Sequence, residues 1–158
     1  MTARGDGGAA EPLARLLAMG FRLLIDGLHE RLRVEGWTDV RPAFGFVLLA
    51  ARDAPTTNAH VATLMGTTKQ AASKLLDLME DAGYVDRTAG ALDGRVKAVA
   101  LTSRGRQLLT VVERIYADLE SGWAAVIGER ATERLRQDLT RVLVHANGGA
   151  LPPARPTW

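Results

Sequence analysis

Apolar side chains recur at helical spacing from Leu13 through Leu16, Leu17, Gly20, Leu24 and Leu28 to Leu32. That stripe predicts one long helix opening at Pro12 and closing before Gly36. Phe21, Leu23 and Ile25 lie off the stripe, so the buried arc is wide and calls for a second packing partner. A second helix is predicted to start at Pro42 in "RPAFGFVLLAA" and to stop near Asp53-Ala54-Pro55. Two short helical units follow, "TTNAHVATLM" and "TTKQAASKLLDLMEDA", joined through Gly66. In the first of them Ala59, Ala62 and Leu64 are available for packing. The period then becomes strand-like in "YVDR" and "RVKAVAL", which flank a turn region ending in Asp93-Gly94. "LTSRGRQLLTVVERIYADLESGWAAVI" reads as a helix of about 26 residues with Thr102 as N-cap. A last helix runs from about Glu129 to His145 and carries Leu135, Leu139, Val142 and Leu143. The fold class is mainly α with a small β-wing, without internal repeats.

The centre of this pattern carries the chemistry. Thr67 followed by Gln70 reads as a capping box, which starts the helix at Thr68. At 100° per residue, Thr68, Ala71, Leu75, Leu78, Met79 and Ala82 form one side. Lys69, Gln70, Ser73, Lys74, Asp77, Glu80 and Asp81 form the other. The basic end leads, against the helix dipole, which favours acids at the N-terminus by about 0.3–1 kcal/mol each. Stability alone does not place Lys69 and Lys74 there; an anionic partner does. Helix, glycine turn and capped helix form a helix-turn-helix pattern, whose second helix enters a DNA major groove N-terminus first. Gln70 suits adenine, Lys69 and Lys74 guanine or phosphate, and Ser73 either. The two strands add a wing whose tip, Arg95, suits the negative minor groove. Lys97, two residues along the same strand face, suits a phosphate.

Charge and composition sharpen this without changing it. The chain has 158 residues, enough for one domain with a real core. Its net charge is only +2, yet residues 66–106 hold seven cations against five anions and every lysine of the protein. There is no cysteine, and His29, His60 and His145 are far apart, so neither a metal nor another cofactor is expected. No apolar run reaches the roughly 18 residues of a membrane span. The N-terminus lacks a secretory apolar region, and a cytoplasmic protein without membrane contact is expected. Asp77, Glu80 and Asp81 sit on a helical face without a base or nucleophile and read as solvated, which argues against an enzyme.

Three blocks resemble the MarR family of winged helix-turn-helix transcriptional regulators. "GTTKQAASKLLDLMEDAGYVDR" is similar to that family's recognition helix and first wing strand. Arg87 followed by Asp93-Gly94-Arg95 is similar to its wing motif. "LTSRGRQLL" is similar to the opening of its long dimer helix. The resemblance covers about residues 12–146, between an N-terminal tail (1–11) expected to be disordered and a C-terminal tail (147–158) expected to be flexible. It implies a winged helix-turn-helix core at about 42–101 and dimerisation helices at about 12–35 and 102–146.

Functionally, the resemblance implies a homodimeric repressor on palindromic double-stranded DNA, with Thr67, Thr68, Lys69, Gln70, Ser73 and Lys74 on the recognition helix. Arg87, Asp93, Arg95 and Lys97 would serve the wing, Asp93 buttressing Arg95 and Arg87 meeting a phosphate or the wing's own acid. A small aromatic or lipophilic anion acting as effector would enter a cleft lined by Phe21, His29, Trp37, Phe44 and Phe46. A winged-helix protein-interaction module that does not bind DNA stays open as the alternative.

Overall fold

The computed structural model describes residues 10–87 and 97–154. Among these, the chain runs through α1 (Leu13–Val34), α2 (Phe44–Ala50), β1 (Thr56–Thr57), α3 (Asn58–Leu64) and α4 (Lys69–Asp81). It continues through β2 (Val85–Asp86), β3 (Ala98–Leu101), α5 (Ser103–Ile127) and α6 (Glu129–Ala146). The strands make an antiparallel sheet in the order β1-β3-β2, with Thr56 opposite Val99 and Val85 opposite Leu101. β1 was not expected. Two threonines carry no alternating pattern, and only the distant Ala98–Val99 segment turns them into a strand. Pairing also leaves Thr57 in extended geometry, where its hydroxyl oxygen accepts the His60 N–H at 3.1 Å and caps α3.

Several boundaries and faces differ from the pattern. Pro12 is the N-cap of α1 rather than its first helical residue, with ψ at 136°. Pro42 precedes α2 instead of opening it, because Phe44 and Gly45 N–H groups bond to the Arg41 and Pro42 carbonyls in a tighter turn. Thr68, not Thr67, caps α4. Its hydroxyl oxygen accepts the Ala71 N–H at 3.1 Å, while the Thr67 N–H is spent on the Ala62 carbonyl that closes the preceding turn. The buried stripe of α4 is Ala72, Leu75, Leu76 and Met79, whereas Ala71 and Leu78 face outward. The stripe rotates because α4 is covered by α3 on one side and by α2 and β2 on another. In α3, Val61 and Ala62 are buried, Leu64 is half-buried and Ala59 is exposed.

The core lies where α2–α4 and the sheet meet the lower halves of α1 and α5. Leu32, Phe44, Val47, Leu76, Tyr84 and Leu108 are fully buried there. Glycines seat α5 on α1. A Cβ at Gly20 would lie 3.0 Å from the Trp123 ring, and one at Gly27 would lie 2.9 Å from Leu119. Beyond this contact the apolar surface has no cover within one chain. Leu13, Leu16 and Leu17 of α1 are exposed, as are Leu135, Val142 and Leu143 of α6, and α6 buries no residue. After α6, residues 147–154 turn through Gly148 and Gly149 and run back to the core, where the Ala154 N–H donates to the Leu64 carbonyl at 3.1 Å.

Candidate nucleic-acid interface and adjoining cavity

α3 and α4 are joined by a four-residue turn whose pivot is Gly66, with φ at +57°, a conformation that disfavours any side chain. The Asn58 amide donates to the Lys69 carbonyl at 3.0 Å and fixes the start of α4 beside the start of α3. Lys69, Gln70, Ala71 and Lys74 are exposed and Ser73 is half-buried, so the leading turns of α4 present amines, an amide and a methyl group on one open face. Ala71 is the member that periodicity misses, since its methyl reads as core in the sequence. Thr67 is half-buried and Thr68 exposed, and the Thr68 hydroxyl oxygen is engaged as cap.

Charge separates these residues from the rest of the surface. Arginines pair with carboxylates on most of the molecule, as in Arg31 with Asp118, Arg52 with Glu113 and Arg114 with Glu35. Among the described residues, none of the lysines has a carboxylate within ion-pair distance, and all three are exposed. A solvated face with no partner to meet gains from local pairing at helical spacing; this face forgoes it.

Arg87 is placed differently from the expectation. Its Nε donates to Glu80 at 2.9 Å, its terminal nitrogen lies 2.5 Å from Asp77, and its backbone N–H donates to Glu80 at 3.2 Å. The guanidinium holds the Glu80 carboxyl below the usual carboxylate range, mainly through that hydrogen bond. Asp77 and Glu80 therefore clamp the root of the wing to the second half of α4 instead of being merely solvated. The wing acid and tip, Asp93 and Arg95, lie outside the described residues; Lys97 is exposed where β3 begins.

The other end of α4 is locked by a second cluster. The chain leaves α4 at Gly83, with φ at +77°, and the next residue, Tyr84, is fully buried. Its hydroxyl donates to Asp39 at 2.5 Å and accepts from Arg104 at 3.1 Å. The Arg104 guanidinium stacks 4.8 Å from the Tyr84 ring centre and 5.3 Å from that of Trp37. Burial first, then the bond to Asp39, pushes the Tyr84 hydroxyl up to about 12, so it stays a donor. That bond is also the main reason the Asp39 carboxyl lies below its ordinary value. A depressed carboxyl adds stability above its unfolded value of about 4 and loses it as pH falls through the lowered folded value. Asp39 is half exposed, so solvent screens the contribution. Tyr84→Phe should cost about 1–2 kcal/mol near neutrality and progressively less below about pH 4, as read from urea denaturation at the two pH values.

Between α1, α2 and α5 lies a cavity of about 570 Å³. That size is ordinary for a small-molecule site. Of the five aromatic and histidine residues expected there, Phe21 and Phe46 line it. His29, Trp37 and Phe44 do not: Phe44 is buried against Tyr84, and Trp37 belongs to the Arg104 cluster. His29 is half-buried on α1, and burial lowers its pKa. Tyr116, Arg52, Glu113 and, from the returning tail, Ala154 complete the wall in their place. Sequence reasoning missed Tyr116 because α5 repeats apolar residues all along its length and only the crossing with α1 selects which of them face a gap; Arg52 follows α2 in a connection with no periodicity to mark it.

Residues 46–96 match the sequence model of the MarR family. No curated protein matches the chain in sequence. Among solved structures, a MarR-family transcriptional regulator from Rhodococcus sp. RHA1 is similar at 21% identity and a TM-score of 0.69, over 87% of this chain and 96% of that one. The transcriptional regulator PA3341 is similar at 28% identity and a TM-score of 0.69, over 87% and 99%. A MarR-family protein of Mycobacterium tuberculosis, solved in complex with salicylic acid, is similar at 24% identity and a TM-score of 0.62, over 85% and 98%. Among the described residues no helix is long and apolar enough to cross a membrane. The winged-helix core of this chain is thus similar in sequence to the MarR family over residues 46–96, and the fold built around it is similar to that of solved MarR-family transcriptional regulators.

Proposed function

We propose that this protein is a homodimeric repressor that binds palindromic double-stranded DNA, one α4 per half-site, and releases it when a small lipophilic molecule enters the cavity. One observation carries the reading. The leading turns of α4 hold Lys69, Gln70, Ala71 and Lys74 on an open face, with the lysines unpaired on a surface where most arginines are paired. Gln70 suits an adenine edge and the Ala71 methyl a thymine methyl, while the lysines suit guanine or phosphate. The uncovered stripes of α1 and α6 supply the dimer contact, since contiguous apolar surface of this kind marks an interface. Cytoplasmic location accords with this role, and neither metal nor cofactor enters it.

Arg95 is assigned to the minor groove, with Asp93 orienting it. A footprint on the DNA upstream of the protein's own coding sequence tests the whole reading. Wild type should protect a two-fold symmetric site. Arg95→Ala should bind the same DNA about 1–3 kcal/mol more weakly while remaining a dimer by light scattering. A monomer without any footprint would instead favour the interaction-module alternative.

A further inference from the structure

The cavity wall holds ionisable side chains whose pairing determines what can enter. Arg52 on the α2–β1 connection is its one cation among the described residues, and the Arg52 guanidinium lies 2.6 Å from the Glu113 carboxylate of α5. Glu120, about two turns further along α5, also lines the cavity and is ion-paired to Arg136 of α6. The cation that an anionic effector needs is thus already taken, by a carboxylate that is itself part of the wall. An entering anion that took the remaining N–H donors of Arg52 would share that cation with the Glu113 carboxylate and sit a few ångströms from it, with Glu120 nearby. The rest of the lining is apolar or aromatic, with Phe21, Phe46 and Tyr116 prominent. The Tyr116 hydroxyl makes no hydrogen bond among the described residues, and burial keeps it protonated by raising its pKa. It is an unspent donor.

Resting on the reading of this cavity as the effector site, we infer that the effector is an uncharged aromatic molecule carrying a hydrogen-bond acceptor, and that the Arg52–Glu113 pair excludes aromatic carboxylates. This departs from the lipophilic anion that family resemblance implies. The exclusion is electrostatic, so it is reversible by one isosteric change. Glu113→Gln keeps the shape of the wall and releases Arg52 for a ligand carboxylate.

The test is calorimetric titration of the full-length dimer at pH 7 with two probes of one shape, salicylamide and salicylate. In wild type the amide should bind at least about tenfold tighter, the cost of placing an unpaired anion beside a second one. In Glu113→Gln the affinity for salicylate should rise about tenfold or more while that for salicylamide stays within about twofold. Wild type that prefers salicylate, or a variant whose salicylate affinity does not move, overturns the charge inference alone. Absence of binding by both probes to both proteins, with circular dichroism showing each folded, overturns the cavity reading on which the inference rests.

Discussion

Gly105→Ala should destabilise the protein by about 3 kcal/mol, the largest effect expected of any single methyl group here. A Cβ at this position would sit 2.1 Å from the Tyr84 carbonyl oxygen and 3.1 Å from its carbonyl carbon, a distance that real side chains do not adopt. The obstacle is backbone, which cannot rotate away as a side chain tip can. It is also tied down: the Tyr84 carbonyl accepts the Thr102 N–H at 3.1 Å, and the Thr102 hydroxyl donates to the Gly83 carbonyl at 2.6 Å. The same hydroxyl oxygen accepts the Gly105 N–H at 3.0 Å, capping α5. Relief of the clash therefore requires α5 to lift from the α4–β2 turn, which opens the core around Tyr84 and Leu108. Gly45→Ala in α2 supplies the contrast. Nothing lies within 4 Å of that Cβ, and alanine in a helix is worth about 0.5–1 kcal/mol over glycine. Denaturant midpoints of the two variants should move in opposite directions, and a Gly105→Ala protein as stable as wild type would contradict the close approach.

Much of this arrangement is legible in the chain because local signals agree with the packing. Leu13 to Leu32 spells out α1 by period, Thr102 announces α5 as a cap, and Gly66 marks the pivot between α3 and α4. Other features have no local signature. Two threonines become β1 only because a segment some forty residues away pairs with them. The α4 stripe is centred on Leu76 rather than between Ala71 and Leu75 because three neighbours, not one, cover that helix. Family resemblance gives Arg87 a phosphate or the wing's own acid, whereas the acids that reach it in the fold are Asp77 and Glu80 of α4. Cavity residues were the least legible. Being aromatic sufficed for Phe21 and Phe46, but Phe44 and Trp37 lie on the far side of the same loop and helix, packed against Tyr84.

The exposed lysines carry the second large effect. Lys69→Ala with Lys74→Ala removes four cations from a dimer without touching the core, since both side chains are exposed and unpaired. Each cation that neutralises a phosphate contributes about 0.9 to the slope of log affinity against log salt on duplex DNA. The double variant should therefore lose affinity for its operator and for unrelated DNA together, most strongly at low salt. Gln70 is unaffected by the change, so preference among sequences should persist. The decisive measurement is fluorescence anisotropy of wild type and Lys69→Ala/Lys74→Ala on the intergenic duplex from about 50 to 200 mM salt. A salt slope that falls by about 3–4 in the double variant, with the dimer intact, is the predicted result. Equal slopes for the two proteins would mean that the leading turns of α4 do not face DNA, and would contradict the account.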